Sequence, residues 1–261
     1  MLQTIPTGLL AANCYLIGKE GREDCVLIDA GDDPQKLLRA VKDSGRRLSD
    51  IVLTHGHFDH MLGAPSLREE TGARIHIHER DAECLSSSRC NLAEEMPTGT
   101  PFVPFEADDL LHGASCTLEA AGFCFQVMNT PGHTPGGICL LDSEDGWLFT
   151  GDTLFYGGYG RYDFPGGSFK DLWKSLGFLE QLDPDLIVYS GHGPAGDCAG
   201  RSEAWCDSSD HRYAGILLRY QRSNTSVLAG GNDSDGGRPG RKAALSYTCE
   251  AGRPECGDLA A

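Results

Sequence analysis

The sequence predicts an α/β fold in which two β-sheets pack face to face and helices cover their outer surfaces. Three observations support this prediction. Residues 9–78 follow the order β-β-α-β-α-β, several short apolar runs lie between residues 110 and 149, and a helical pattern followed by a strand pattern ends near residue 189. Two strand-rich halves, each with its own helices, are typical of a layered sandwich.

The elements of the first half follow from periodicity and from turn residues. Pro34 lies in the first turn of a helix that carries Leu37, Leu38 and Val41 on one face and ends near Gly45. The other predicted elements are strands at residues 9–17, 25–28, 51–53 and 74–78, and a helix at residues 59–70.

The second half begins after a segment without periodicity. Residues 86–105 contain three consecutive serines and three prolines, so we expect a long loop that could border a functional site. The remaining predictions are strands at residues 110–111, 116–119, 123–128, 138–141, 147–149 and 186–189, and an amphipathic helix at residues 169–182.

Charge and composition change near residue 194. Residues 1–194 carry 14 Lys and Arg against 29 Asp and Glu, a net charge of −15, whereas residues 195–261 carry a net charge of −1. The later segment is glycine- and serine-rich and poor in apolar residues, which does not favour a packed core. We therefore predict a folded domain at residues 1–200 and a low-complexity tail at residues 201–261, largely disordered or atypical.

The same features limit the partners and the compartment. The acidic first part repels phosphate backbones, which disfavours nucleic acid, and no apolar run has the roughly 18 residues of a membrane span. The sequence has eleven cysteines, an odd number, and no C-x-x-C pair. We therefore expect a cytoplasmic protein with free thiols and a small-molecule substrate; the oligomeric state is left open.

The densest group of candidate ligands is His55-Gly56-His57-Phe58-Asp59-His60, directly after an apolar strand. Residues two apart on a strand point the same way, so His55 and His57 can serve one cation, while Asp59 and His60 on the next turn serve a second. Imidazole and carboxylate groups are typical ligands of zinc and related ions. This segment therefore predicts a metal site.

Three further candidate ligands each follow a predicted strand. They are His133 in the sequence TPGHTPGG, Asp152 in TGDT and His192 in SGHGP. Neighbouring glycines let the backbone approach a crowded centre. Each of these residues is a weak signal alone, but together with the first group they make seven candidate ligands.

The motifs THxHxDH, PGHTPG, GD and GHGP, in this order, resemble those of the metallo-β-lactamase fold of metal-dependent hydrolases. The resemblance covers about residues 1–194. Asn13-Cys14-Tyr15 and the sequence GRYDFPGGS at residues 160–168 look most like the glyoxalase II (hydroxyacylglutathione hydrolase) branch. The resemblance implies a four-layer αβ/βα sandwich of two mixed β-sheets flanked by helices.

The resemblance also implies a dinuclear site. It assigns His55, His57 and His133 to one metal and Asp59, His60 and His192 to the other, with Asp152 bridging the two. Zinc fits these donors, and iron or manganese is also tolerated. A hydroxide shared by two metals would attack an acyl carbon, and the catalytic Asp59 would orient it and accept its proton.

We therefore predict a metal-dependent thioesterase that acts on an acyl thioester such as S-lactoylglutathione. Residues 195–261 do not resemble the basic helical domain that holds glutathione in longer glyoxalase II enzymes. The alternatives on this scaffold are a persulfide dioxygenase-like iron enzyme and a lactonase, and a non-enzymatic metal-binding module is disfavoured.

Other polar residues receive secondary roles. Arg161 and Asp163 are expected to form an ion pair that shapes a loop, and Arg161 could also meet an acidic substrate group. His76 and His78 share one strand face, and we expect them to be exposed or to support the ligands rather than to bind metal. His112 and His211 have no ligand partners in the sequence.

Overall fold

The computed structural model describes residues 1–194 and the backbone of residues 196 and 197. The predicted tail at residues 201–261 lies outside the described residues, as does His211. The domain boundary near residue 200 therefore remains a prediction.

The elements before the second sheet comprise six strands, three α-helices and a 3-10 helix. They are β1 (Leu2–Thr7), β2 (Ala12–Ile17), β3 (Asp24–Ile28), α1 (Pro34–Ser44), β4 (Arg47–Val52), α2 (Phe58–Met61), α3 (Ala64–Thr71), β5 (Arg74–His78), the 3-10 helix Glu79–Leu85 and β6 (Asp109–Leu111). The later elements are β7 (Ser115–Ala120), β8 (Phe123–Asn129), β9 (Ile138–Asp142), β10 (Trp147–Gly151), β11 (Leu154–Phe155), β12 (Gly158–Tyr159), α4 (Phe169–Leu179), β13 (Ile187–Ser190) and β14 (Gly196–Asp197).

The strands form two mixed six-stranded sheets and a short hairpin. The first sheet has the order β1-β2-β3-β4-β5-β6, with β3 to β6 parallel to one another. The second has the order β14-β13-β10-β9-β8-β7, in which only β10 and β13 are parallel. Strands β11 and β12 pair with each other.

Three apolar clusters give the molecule its layers. Between the sheets, Ile28 and Val52 of the first sheet pack with Phe125 and Phe149 of the second. On the outer face of the first sheet, Leu16 and Leu27 pack in one cluster with residues of α1 and α3, including Leu37, Val41 and Leu67. On the outer face of the second sheet, Leu148 and Val188 pack with Leu179 of α4. The predicted four-layer sandwich is confirmed.

Local sequence explains where helix α1 begins and ends. Asp33 accepts a hydrogen bond from the backbone N–H of Lys36 at 3.0 Å, and Pro34 occupies the first turn. Gly45 closes the helix in the left-handed conformation, at a φ of 68°. The predicted bounds of this helix therefore agree with the structure.

Two predicted elements differ from the structure. The strand expected at residues 9–17 begins only at Ala12, because Gly8 and Ala11 take positive φ angles of 65° and 53° and turn the chain there. The strand β1 that precedes this turn was not predicted. The helix expected at residues 59–70 is interrupted at Gly63. A Cβ at this glycine would lie 2.6 Å from the carbonyl oxygen of Gly31, and α3 then restarts with Pro65 in its first turn.

The expectation of free thiols throughout is wrong at one pair. Cys84 and Cys90 form a disulfide, with their Cα atoms 4.8 Å apart. The 3-10 helix and the turn that follows it bring the two residues together, which a separation of six positions does not show on its own. Cys14 and Cys25 are buried free thiols.

His76 and His78 are buried, so the exposed role considered for them is wrong. They lie on the face of β5 opposite Ile75 and Ile77, which pack on the helical side of the first sheet. His76 Nε2 lies 2.9 Å from Asp50 Oδ1, and His78 Nε2 donates to the carbonyl oxygen of Gly113 at 2.9 Å.

Candidate metal centre

The seven predicted ligands lie in four loops that meet at one edge of the sandwich. These loops follow the carboxyl ends of β4, β8, β10 and β13, where ligands commonly bind in α/β proteins. Backbone hydrogen bonds join the loops: the N–H of Ile138 donates to Thr54 at 2.9 Å, and the N–H of Gly191 donates to Gly151 at 2.7 Å. Residues distant in sequence thus share one site.

The first donor group consists of His55, His57 and His133. One ring nitrogen of each can be chosen so that all three lie within 4.8 Å of one another. His57 Nδ1 is 2.9 Å from His133 Nε2, and all three side chains are buried. This arrangement can hold a single cation.

The second donor group consists of Asp59, His60 and His192, again with ligand atoms within 4.8 Å of one another. His192 Nε2 lies 3.3 Å from Asp59 Oδ2 and 3.4 Å from His60 Nε2. Asp59 and His60 belong to the short helix α2, which turns both side chains inward.

Asp152 lies between the two groups. Its Oδ2 is 3.5 Å from His133 Nε2 in the first group, and its Oδ1 is 3.4 Å from His60 Nε2 in the second. Gly191 leaves room for this carboxylate, since a Cβ there would lie 2.1 Å from Asp152 Oδ1. Asp152 is therefore in the position that a bridging ligand requires.

Three atoms of the cluster lack a hydrogen-bond partner although they are buried: His55 Nε2, His57 Nε2 and Asp152 Oδ1. A buried polar atom without a partner costs about 1–3 kcal/mol, which argues that something else satisfies these atoms. Nitrogen and carboxylate oxygen donors match divalent transition metals. The residues present therefore fit a metal, and the cluster could hold two ions.

Two imidazole rings of the first donor group, those of His55 and His57, are uncharged at neutral pH. Burial, reinforced by the neighbouring His133, lowers the pKa of His57 to about 3. Burial also lowers the pKa of His55 well below its usual value. Because a neutral imidazole has a lone pair to donate, these rings are in the form that binds metal.

The second donor group contains charged side chains. Burial alone would raise the pKa of Asp59, but His60 and His192 outweigh it and lower the pKa, so the carboxylate is ionised. Burial alone would lower the pKa of His60, but Asp59 and Asp152 outweigh it and raise the pKa to about 10. Carboxylate charge thus concentrates where a cation would lie.

The sequence analysis missed Asp29, which orients His60. Its Oδ2 lies 2.8 Å from His60 Nδ1, and its oxygens also accept bonds from the backbone and hydroxyl of Thr54 at 2.7 and 2.8 Å. With Nδ1 held in this way, Nε2 faces the cluster. The only sequence signal was an aspartate directly after the strand β3.

Asp81 is a second residue that the sequence analysis missed. It is fully buried and accepts bonds from Gly56 N–H at 3.0 Å, Thr134 Oγ1 at 2.7 Å and Gly136 N–H at 2.5 Å. These bonds join the loop of His55 and His57 to the loop of His133. Burial raises the pKa of Asp81 although the three donors oppose the shift.

Hydrogen bonds from other elements fix the remaining loops. Asn13 donates to the carbonyl oxygens of Ser190 and Gly193 at 3.0 and 2.8 Å, and Tyr15 donates to that of Ser190 at 2.6 Å. These contacts position the loop of His192.

Arg161 and Asp163 form an ion pair with two N–O distances of 2.9 Å. The guanidinium of Arg161 lies over the ring of Phe164, 4.1 Å from its centroid. The backbone carbonyl of Arg161 lies 2.7 Å from His133 Nδ1, so this loop orients a candidate ligand.

A cavity of about 400 Å³ opens onto the cluster. Besides five of the seven candidate metal ligands, its lining contains mostly apolar side chains. The lining residues outside the cluster are Leu10, Phe58, Leu92, Glu95, Met96, Phe155, Arg161 and Phe164. The cavity gives a small molecule access to the donor atoms.

The other histidines among residues 1–194 are separate from this cluster. Within residues 1–194, the donor groups able to hold a metal include neither His76 nor His78. His112 lies 2.9 Å from Glu79 on the surface.

Among the described residues, no helix is both long enough and apolar enough to cross a membrane.

Comparison with known proteins identifies relatives and solved structures with the same fold. The family model of the metallo-beta-lactamase superfamily matches residues 7–192. Hydroxyacylglutathione hydrolase GloC of Haemophilus influenzae is 33% identical over 195 residues, which cover 74% of this chain and 90% of that protein.

Two solved structures extend the comparison. The BLEG-1 B3 metallo-beta-lactamase has a TM-score of 0.71 and 29% identity, covering 79% of this chain and all of that one. TTHA1623 in a di-iron-bound form has a TM-score of 0.67 and 34% identity, covering 77% and 98%. The family resemblance predicted from the motifs is confirmed: this chain belongs to the metallo-beta-lactamase superfamily.

Proposed function

We propose that this metallo-hydrolase is a dinuclear enzyme that cleaves acyl thioesters, of which S-lactoylglutathione is the first to test. The observation that carries the proposal is the pair of three-donor groups joined by Asp152 at the base of an open cavity. The similarity to a protein named hydroxyacylglutathione hydrolase supports the reaction class.

The donor sets divide the chemistry between them. His55, His57 and His133 would hold one ion, Asp59, His60 and His192 the other, and Asp152 would contact both. Two divalent ions held in this way would supply a hydroxide near neutral pH, since metal binding lowers the pKa of water from about 15.7 to about 7, and would polarise an acyl oxygen. We propose zinc as the native metal, because neutral imidazole and carboxylate groups are its usual ligands.

Asp59 is the proposed catalytic residue of the chain. Its carboxylate is ionised at neutral pH, faces the cavity and lies 3.3 Å from His192. An ionised carboxylate there can orient a water molecule by accepting its hydrogen bond and can receive its proton. The leaving thiolate would then be released into the cavity, whose lining is mostly apolar outside the candidate ligands.

We propose a small-molecule substrate and a cytoplasmic location, with neither nucleic acid nor membrane as partner. The net charge of −15 over residues 1–194 disfavours polyanions. Five of the described cysteines are free thiols, as expected in a reducing compartment, whereas the Cys84–Cys90 disulfide is atypical of one. Fractionation of cells that express the chain, followed by immunodetection, tests the location.

An iron-dependent oxidation is the second candidate function. The observation that favours it is the similarity to a protein solved in a di-iron-bound form, at 34% identity. Iron in the purified protein together with oxygen uptake on a persulfide would support this candidate. A lactonase shares the same donor set and is tested by lactones in the substrate panel.

The decisive experiment measures metal content and thioester hydrolysis in the same preparation. We expect about two metals per chain, hydrolysis of S-lactoylglutathione, and loss of activity on chelation. Asp152→Asn should lower both metal content and turnover, whereas Asp43→Asn, an exposed change on α1, should alter neither. One metal per chain, or full activity in Asp152→Asn, would contradict the dinuclear proposal.

A further inference from the structure

The cavity presents apolar side chains beside both donor groups. Next to the first group, Phe164 packs edge-on against His57 and His133, with ring centroids 5.4 and 5.9 Å apart. Next to the second group, Phe155 packs edge-on against His192 at 6.0 Å. Any substrate that reaches the donor atoms therefore contacts aromatic surface on either side.

The long loop at residues 86–105 completes one side of the cavity. Phe58 and Leu92 are buried in an apolar cluster, and Met96 and Phe164 pack against it. We call these four residues the apolar wall. Leu92 is held in place by its neighbour Asn91, whose backbone carbonyl accepts the N–H of Phe58 at 2.9 Å and whose side chain donates to Cys84 at 2.7 Å.

Apart from the candidate metal ligands, two of the described side chains that line the cavity are charged: Glu95 and Arg161. Arg161 is already paired with Asp163 through two contacts of 2.9 Å, and its guanidinium plane covers Phe164. Its charge is therefore compensated before a substrate arrives, and Glu95 repels anions. This lining offers a carboxylate no uncompensated cationic side chain.

We propose that the apolar wall selects thioesters whose acyl chain and thiol portion are apolar and uncharged, in preference to thioesters of glutathione. This inference rests on the proposed thioesterase function and narrows its substrate class. Glutathione carries two carboxylates and an ammonium group, which would lose hydration against this lining without gaining partners. An alkyl chain instead removes apolar surface from water on both partners.

A substrate panel on the metal-loaded wild-type protein tests the inference. Acetyl, butyryl and hexanoyl thioesters of N-acetylcysteamine, a neutral thiol, are compared with hexanoylglutathione and S-lactoylglutathione. We expect kcat/KM to rise by about fourfold for each added methylene within the neutral series. Hexanoyl-N-acetylcysteamine should also exceed hexanoylglutathione, and the stable thioether S-hexyl-N-acetylcysteamine should bind more tightly than S-hexylglutathione in calorimetry.

Charge placed on the wall should reverse the preference. Met96→Lys should raise the ratio of kcat/KM for hexanoylglutathione over that for hexanoyl-N-acetylcysteamine by at least about tenfold, since it adds a partner for a carboxylate. Val103→Lys makes a comparable change at an exposed position of the same loop that does not line the cavity, and it should leave the ratio unchanged.

The outcomes separate the two proposals. Turnover of none of the thioesters would overturn the proposed function and this inference together. Turnover of the whole panel with no dependence on chain length, or with glutathione thioesters preferred, would overturn the inference alone. An unchanged ratio in a folded Met96→Lys variant would also contradict it, and if that variant does not fold, the wild-type panel and the calorimetry decide.

Discussion

Asp29 provides the sharpest test of how the metal centre is built. Its two carboxylate oxygens accept three hydrogen bonds, two from Thr54 and one from His60 Nδ1. In Asp29→Asn only one oxygen remains. If that oxygen keeps the backbone bond to Thr54, the amide NH₂ faces His60 Nδ1. The imidazole must then accept there and carry its proton on Nε2, the atom that faces Asp152.

The size of the effect follows from the lost ligand orientation. A protonated Nε2 cannot bind metal, and loss of such a supporting contact typically lowers metal affinity by about 10- to 100-fold. This corresponds to about 1.4–2.8 kcal/mol of binding free energy. Asparagine tolerates the φ of 58° at this position, so the backbone itself is not the source of the loss.

The assay is zinc titration against a chromophoric chelator, with far-ultraviolet circular dichroism to show that the variant is folded. Asp33→Asn is the matched control. It makes the same chemical change four residues away, where asparagine serves equally well as the N-cap of α1. Zinc affinity in Asp29→Asn equal to that of the native chain would refute the proposed orientation of His60.

Three further predictions concern stability. Gly177→Ala, inside α4 with open space around the new Cβ, should stabilise the fold by about 0.5–1 kcal/mol in thermal unfolding, and a lower melting temperature would contradict this. Phe125→Ala, between the sheets, should cost about 3–5 kcal/mol in urea unfolding; a cost under about 1 kcal/mol would mean that the two sheets are not closely packed there. Burial alone would raise the pKa of Asp50, but hydrogen bonds from His76 and Ser49 outweigh burial and lower the pKa. The ionised Asp50 therefore stabilises the folded state above about pH 4, and this contribution is lost as the pH falls through the pKa of Asp50 in the folded state. Asp50→Asn should therefore flatten the acid side of the stability profile, and Glu20→Gln, at an exposed position, should not; identical profiles would refute the reasoning.

Patterns within a short segment predicted much of the site. His55, His57, Asp59 and His60 lie within six residues, so their role as candidate ligands is visible without any knowledge of the fold. Asp29 and Asp81 are single carboxylates in ordinary segments. Each acts through a residue at least 25 positions away, and no local pattern indicates such a contact.

Strand β5 shows that the periodicity of a sequence does not by itself predict which strand face is buried. Alternation correctly places His76 and His78 on one face of the strand, but it does not say what covers that face. The second sheet packs on this side of the first, so both side chains are buried and bonded. A polar face of a strand is therefore not sufficient reason to expect exposure.

The sequence by itself determined the fold class, the family and the seven candidate ligands, because each depends on residue types at fixed spacings along the chain. Only the tertiary structure decided whether those ligands lie close enough to form the two groups expected around Asp152, which buried carboxylates orient them, and that the cavity is largely apolar with its arginine already paired. The physical reason is that ligand distances, burial and compensation of charge depend on loops from two different sheets meeting at one edge. These contacts join residues as much as 182 positions apart.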